Sequence, residues 1–272
     1  MFSFLRRRIS LRKLLPAGID AHCHLLPGVD DGAPDMETAL EIIRAQQALG
    51  LRGAICTPHI MARYPDNTPA NLRSVFEQLV AAASASSPNS TLSTSNLQLS
   101  TFQLHLAAEY MLDEAFPRLL EHPDRLLTIP ANLLGGTAAE SQGNTEGKAP
   151  FFVNRKSKIV NPAPADHNYI LLELPQYLLP EGWLDVIDSI RACGLRPLLA
   201  HPERYLRLLS ESDLTDLHAR GLRYQGNLGS LAGLYGSQVQ RLARRLHKSG
   251  LYTTWGTDAH SSAMITKMDL AA

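Results

Sequence analysis

Short apolar runs alternate with amphipathic stretches along most of the chain. Residues 18–24 form the first run with strand character, and 35–49 follow with helical spacing: Met36, Leu40, Ile43 and Gln47 lie along one side, with Ala39, Ile42 and Leu49 beside them. Pro34 and Asp35 mark the start of that helix and Gly50 its stop. The alternation then repeats. Strands are predicted over 53–57, 102–108, 169–174, 196–200, 222–227 and 252–257, and helices over 71–83, 115–120, 183–192, 213–220 and 237–248. Residues 169–174 are apolar enough for a strand covered on both faces. Glycine closes helix after helix, at Gly50, Gly194, Gly221 and Gly250. Such a pattern predicts a parallel α/β architecture.

Two stretches break the rhythm. Residues 84–100 are rich in Ser, Thr and Asn and carry no charge, and 134–167 are irregular and rich in Gly, Thr, Ala and Asn. Both read as poorly packed surface inserts within one domain spanning 18–272. Residues 1–17 mix basic and apolar side chains without the apolar core or cleavage site of a signal peptide. They read as a solvated leader, with the alternative that 1–15 meet an anionic membrane surface as a short amphipathic helix.

Composition narrows the function classes. Hydrophobic residues make up 44% and charged residues 19% of the 272, an ordinary globular balance. Lys+Arg and Asp+Glu both number 26, which gives no sign of a nucleic-acid binder. The three scattered cysteines argue against a disulfide framework and fit a reducing cytoplasm. No run is long and apolar enough to span a bilayer.

The candidate chemistry sits at strand ends. His22 and His24 lie two apart on the first strand and project to one face, and Asp30 and Asp31 follow at once. His59, Glu109, Glu173, His201 and the pair Asp258 and His260 each end a later strand. In a parallel barrel those ends share one rim, whereas an open sheet would scatter them along an edge. A distorted barrel with a polynuclear metal site at its C-terminal rim is therefore the expectation. Imidazoles and carboxylates without clustered thiolates suit Mn²⁺, Fe or Zn²⁺. Arg204, just beyond His201, is placed to hold a phosphate oxygen. Cys56 and Arg63 lack the spacing and glycine-rich loop of a cysteine phosphatase, and no Gly-x-Ser-x-Gly elbow appears. Cys23 points away from its histidine neighbours, into the core.

The ordered set Asp20-Ala-His-Cys-His24 with Leu-Pro-Gly-Val-Asp-Asp31-Gly, Thr57-Pro-His59, Ala108-Glu109-Tyr110, Leu172-Glu173-Leu174, Ala200-His201-Pro-Glu-Arg204-Tyr205 and Gly256-Thr-Asp258-Ala-His260 resembles the PHP-type (polymerase and histidinol phosphatase) tyrosine-protein phosphatases of capsular and exopolysaccharide gene clusters. The resemblance implies a distorted (β/α)7 TIM-like barrel holding three metals, usually manganese. It implies phosphotyrosine on the tail of a bacterial tyrosine kinase as substrate. By matching position, His22, His24 and Asp258 would hold one metal with Glu109 bridging. His201 and Glu173 would form the middle of the site, and Asp31, His59 and His260 would hold a third metal. Arg204 would bind phosphate, and Asp20 would orient a ligand histidine. A PHP-type phosphatase of small molecules such as histidinol phosphate is the alternative, followed by a non-catalytic metal-binding relative. Two departures stand out: Gly226 falls where a larger strand residue is expected, and the sequence runs out where a closing helix would follow His260.

Overall fold

A computed structural model describes residues 10–85, 101–134 and 168–268. Almost all of the two predicted inserts, and residues 1–9 of the leader, lie outside these. The strands are β1 (Ile19–Cys23), β2 (Gly53–Cys56), β3 (His59–Ile60), β4 (Gln103–Leu106), β5 (Glu109–Met111), β6 (Tyr169–Glu173), β7 (Arg196–Ala200), β8 (Arg223–Asn227) and β9 (Tyr252–Gly256). The longer helices are α2 (Met36–Ala48), α3 (Pro69–Ala85), α5 (Trp183–Ala192), α6 (Glu211–Ala219) and α8 (Ser237–Lys248). Four short helices, α1 (Leu11–Leu14), α4 (Phe116–Leu119), α7 (Leu228–Ala232) and α9 (Ser262–Thr266), complete the set.

Every strand pairing is parallel, in the orders β1-β2-β4 and β3-β5-β6-β7-β8-β9. The break between the two sheets is local. Pro58 has no amide hydrogen to give a ladder, so the line from β2 to β3 is interrupted there, but the Ala107 amide still donates to the Cys56 carbonyl (2.9 Å) and the Glu109 amide to the Pro58 carbonyl (3.1 Å). At the other side Cys23 forms a parallel bridge to Ala259. The Asp258 amide donates to the His22 carbonyl (2.7 Å) and the His24 amide to the Ala259 carbonyl (3.1 Å). The pairing order thus returns from the last strand to the first.

Strand periodicity sorts the interior. Tyr169, Leu171 and Glu173 alternate onto one face, so two apolar residues lie below and a carboxylate stands at the end. Ile19, Ala21, Ile55, Leu198 and Ala200 join the same inner cluster. The opposite faces pack on the helices in a larger core that includes Ile42, Ile43, Leu72, Ile170, Ile190 and Leu246. Each such fully buried aliphatic side chain contributes about 1.5–3 kcal/mol.

Three expectations change. Leu11, Leu14 and Leu15 are buried in the main core, so this part of the N-terminal segment packs on the domain and does not lie solvated. A short closing helix does exist: α9 is capped by the Ser261 hydroxyl accepting from the Met264 amide (3.3 Å), and it packs against α2. Gly226 is explained by its neighbour, since a Cβ there would sit 2.5 Å from the Trp255 ring. No helix among the described residues is long and apolar enough to cross a membrane.

Candidate metal centre

The predicted residues converge at the C-terminal ends of the strands. His22 and His24 leave β1, where the register to β2 shifts between Asp20 and Cys23. His59 opens β3, Glu109 opens β5 and Glu173 ends β6. His201 and Asp258 follow β7 and β9 in the left-handed backbone region (φ 34° and 52°). Non-glycine residues rarely adopt that conformation, and where they do it turns a side chain that a regular strand would aim elsewhere.

Hydrogen bonds on the far side of the rings decide what faces the centre. His22 Nδ1 lies 2.9 Å from Gln225 Oε1, and Gln225 is itself fixed by its amide group donating to the Gly226 carbonyl (2.7 Å). His24 Nδ1 lies 2.8 Å from Asp30 Oδ2. Both rings therefore donate outward from Nδ1, which leaves the Nε2 lone pair of each neutral imidazole pointing inward. These two Nε2 atoms are 3.2 Å apart. Glu109 Oε2 lies 3.2 and 3.4 Å from them, and Asp258 Oδ1 3.5 and 3.4 Å. Four potential ligand atoms thus converge on one point, an arrangement that suits a cation.

The cluster extends outward. His59 Nδ1 is 3.3 Å from Glu109 Oε2 and 3.8 Å from Glu173 Oε2, and its Nε2 is 3.5 Å from Asp31 Oδ1. His260 Nε2 approaches the same Asp31 oxygen at 3.4 Å. His201 Nε2 is 3.3 Å from Glu109 Oε1 and 3.8 Å from Glu173 Oε1. His59 Nδ1, Glu109 Oε1 and His201 Nδ1 are buried without a hydrogen-bond partner, a costly condition that an ion would relieve at the first two. Three overlapping groups have ligand atoms close enough to share an ion: His22, His24 and Glu109; His59, Glu109 and Glu173; and His24, Asp31, His59 and His260.

Electrostatics agree. Burial works against charge on His22, yet Glu109 and Asp258 outweigh it and raise the imidazole to about 9. Burial, then the Glu109 and Asp258 charges, push Glu173 up to about 8. Burial and the Arg204 charge push His201 down to about 4. Burial would raise Glu109 and Asp258, but the surrounding imidazoles hold both well below the usual carboxylate range. Protons are the only cations the ion-free cluster can recruit, and it holds them tightly.

Arg204 does not pair with Glu203. Its Nη1 donates to Asp258 Oδ2 (2.8 Å), and its guanidinium lies 4.8 Å over the Tyr235 ring. Glu203 is buried and accepts instead from the Asn227 amide (2.9 Å) and the Tyr252 hydroxyl (2.9 Å). Arg204 lines a cavity of about 380 Å³ together with Asp31, His59, Glu109, Glu173, His201, Asp258 and His260, while His22 and His24 lie fully buried beneath.

Asp20 acts differently from its expected role. Its carboxylate accepts from the His22 amide (3.2 Å), the Thr257 amide (2.8 Å), the Thr257 hydroxyl and Gln46 Nε2 (2.7 Å), and it touches no imidazole nitrogen. It pins β1 to the end of β9. The ring-orienting residues are Gln225 and Asp30. Sequence spacing pointed to neither, because Gln225 is 203 positions from His22.

The family model for "Capsular polysaccharide synthesis, CpsB/CapC" matches residues 18–105 and 156–268. The tyrosine-protein phosphatase YwqE of Bacillus subtilis (strain 168) is 28% identical over 244 residues, which cover 89% of this chain and 77% of that protein. A crystal structure from work on YwqE of Bacillus subtilis and CpsB of Streptococcus pneumoniae, described as unique metal-dependent tyrosine phosphatases, superposes with a TM-score of 0.67 at 25% identity. The match covers 91% of this chain and 81% of that one.

Proposed function

This chain belongs to the capsular polysaccharide synthesis family CpsB/CapC, and on that premise we propose how its site works as that of a metal-dependent tyrosine-protein phosphatase. The substrate is phosphotyrosine on a bacterial tyrosine kinase that governs capsular or exopolysaccharide synthesis. The fold is a distorted (β/α)7 barrel, a reading supported by the parallel pairing order that returns to β1 through Cys23 and Ala259.

The observation that carries the reading is the meeting of His22 Nε2, His24 Nε2, Glu109 Oε2 and Asp258 Oδ1 with both Nδ1 atoms already committed. His22, His24, Glu109 and Asp258 would hold one ion. Glu173 and His201, with Glu109 between, would hold a second. Asp31, His59 and His260 would hold a third. Manganese is the ion proposed on the family resemblance, and the donors, imidazole nitrogens and carboxylate oxygens without thiolates, suit it as they suit Fe or Zn²⁺. Divalent ions bound there would supply an acidified water as nucleophile and neutralise phosphoryl oxygens.

The chain's own residues supply the rest. Gln225 and Asp30 engage Nδ1 of the two inner imidazoles and so keep Nε2 aimed inward. Tyr235 beneath the guanidinium and Asp258 at Nη1 hold Arg204 in one plane, and its further N–H donors face phosphoryl oxygens. The leaving tyrosinate has an ordinary pKa of about 10 and departs without a dedicated acid.

Purified protein assayed on a phosphotyrosine peptide and on histidinol phosphate, with chelator and with added Mn²⁺, tests this. Peptide hydrolysis that chelator abolishes and Mn²⁺ restores is the expected result. Preference for histidinol phosphate would move the assignment to small-molecule phosphatases, and activity that survives metal removal would sink the mechanism.

A further inference from the structure

The described surface exposes four large hydrophobic side chains: Tyr177 (83%), Leu178 (76%), Leu206 (37%) and Leu234 (37%). Their placement is not scattered. Tyr177 itself lines the 380 Å³ cavity, Leu178 follows it, Leu206 stands two residues after Arg204, and Leu234 immediately precedes Tyr235. All four therefore line the cavity or lie within two residues of a residue that does. No other large apolar side chain among the described residues is as exposed. Exposed apolar surface gathered at one place marks a binding surface more often than chance.

From this concentration we infer that Tyr177, Leu178, Leu206 and Leu234 form an apolar docking rim for the polypeptide segment that carries the phosphotyrosine, and that the enzyme favours apolar residues flanking it. The inference rests on the phosphatase reading and adds the substrate's flanking sequence to it. Position on the page selects the occupant. Tyr177 lines the cavity through which a substrate reaches Arg204 and Glu173, and the other three stand within two residues of lining positions. A phosphorylated side chain that enters there leaves its own backbone and neighbours lying across the rim. A second copy of the chain seated on the same residues would close the opening to substrate. Tyr177 and Leu178 lie between Pro175 and Pro180 on the loop joining β6 to α5, so proline restricts that segment at both ends. Restriction lowers the ordering cost of docking.

The test compares kcat/KM of the manganese-loaded enzyme on three substrates: phenyl phosphate, a phosphotyrosine peptide with Leu and Phe on both sides, and one with Ser and Gly there. Wild type should favour the apolar peptide over the polar one by about tenfold. A Tyr177→Ser/Leu178→Ser variant, and separately Leu234→Ser, should lose most of that preference, read as a ratio against phenyl phosphate. Circular dichroism melts check that the variants fold. Equal kcat/KM for the two peptides, or a preference that both variants retain, would overturn the rim. Failure on phenyl phosphate and both peptides would instead overturn the phosphatase reading. Fluorescence anisotropy of the same peptides, in phosphorylated form, then decides the rim alone, with about tenfold weaker binding by the double variant supporting it and equal binding refuting it. Sedimentation showing a wild-type dimer that the double variant abolishes would assign the residues to self-association and also overturn it.

Discussion

Replacing Asp30 by Asn removes a negative charge from a residue that is not itself proposed to touch a metal. The carboxylate accepts three hydrogen bonds: Oδ2 from His24 Nδ1 (2.8 Å) and the His59 amide (3.0 Å), and Oδ1 from the Gly32 amide (2.9 Å). An asparagine has only one acceptor oxygen. Its least costly placement keeps that oxygen toward His24 and His59 and turns the amide nitrogen against the Gly32 N–H. One hydrogen bond is then lost, and two charge-assisted bonds become neutral ones. At about 1 kcal/mol for each weakening and 1–3 for an unsatisfied donor, the fold should lose roughly 3–5 kcal/mol. That corresponds to a Tm lowered by about 5–10 °C for a domain of this size. Metal affinity should fall about 10–100-fold, the usual consequence of losing the partner that orients a ligand histidine. Calorimetric titration with Mn²⁺, alongside thermal unfolding of the ion-free protein, reads both effects. An Asp30→Asn protein that binds Mn²⁺ within twofold of wild type and melts at the same temperature would refute the idea that Asp30 sets the His24 and His59 geometry.

The ion-free protein should lose stability as pH rises from 6.5 to 9.5. His22 (about 9) and Glu173 (about 8) both bind protons more tightly folded than unfolded, so their contribution is full at low pH and disappears through those values. Melts in chelator across that range should show a falling Tm that added Mn²⁺ largely removes, and a rising Tm would contradict the assignment. Gly226→Ala should cost about 1–3 kcal/mol, because its Cβ would meet three Trp255 ring atoms at 2.5 to 2.9 Å, and a denaturant melt measures it. Arg204→Ala should lower kcat/KM on a phosphotyrosine peptide by about 10²-fold while leaving Mn²⁺ content intact, and loss of metal instead would show that it serves Asp258 alone.

The candidate cluster was legible because chemistry follows strand ends, and strand ends are visible in apolar runs such as 169–174 and 196–200. Type and order of the long elements could be read for the same reason. What escaped was whatever depends on meeting across the sheet. Gln225 is an ordinary strand residue until β8 places its oxygen at His22. Asp20, two residues before His22, looked like a ring partner, but the register shift between Asp20 and Cys23 breaks the strand alternation and turns it away, toward Thr257 and Gln46. The short strands β3 and β5, which resume pairing beyond the predicted strands 53–57 and 102–108, were not predicted, because two or three residues show no period. The brief helices α7 and α9 are too short to show a repeat, and the left-handed backbone at His201 and Asp258 has no local signature in either residue.

The junction between Cys23 and Ala259 has a consequence for how the molecule opens. His22 and His24 stand on one bank of that seam, and Asp258 and His260 on the other. Any ion shared between them is a rivet through the seam, joining segments more than 230 positions apart in sequence. Without ions, backbone pairing, the Asp20 bonds and the packing of α9 on α2 hold the two banks together while carboxylates and imidazoles face one another across them. Amide exchange at His24 and Asp258, whose hydrogens cross the seam, should therefore accelerate on chelation well before the exchange of β6 and β7, so that metal supply sets the breathing of this one junction.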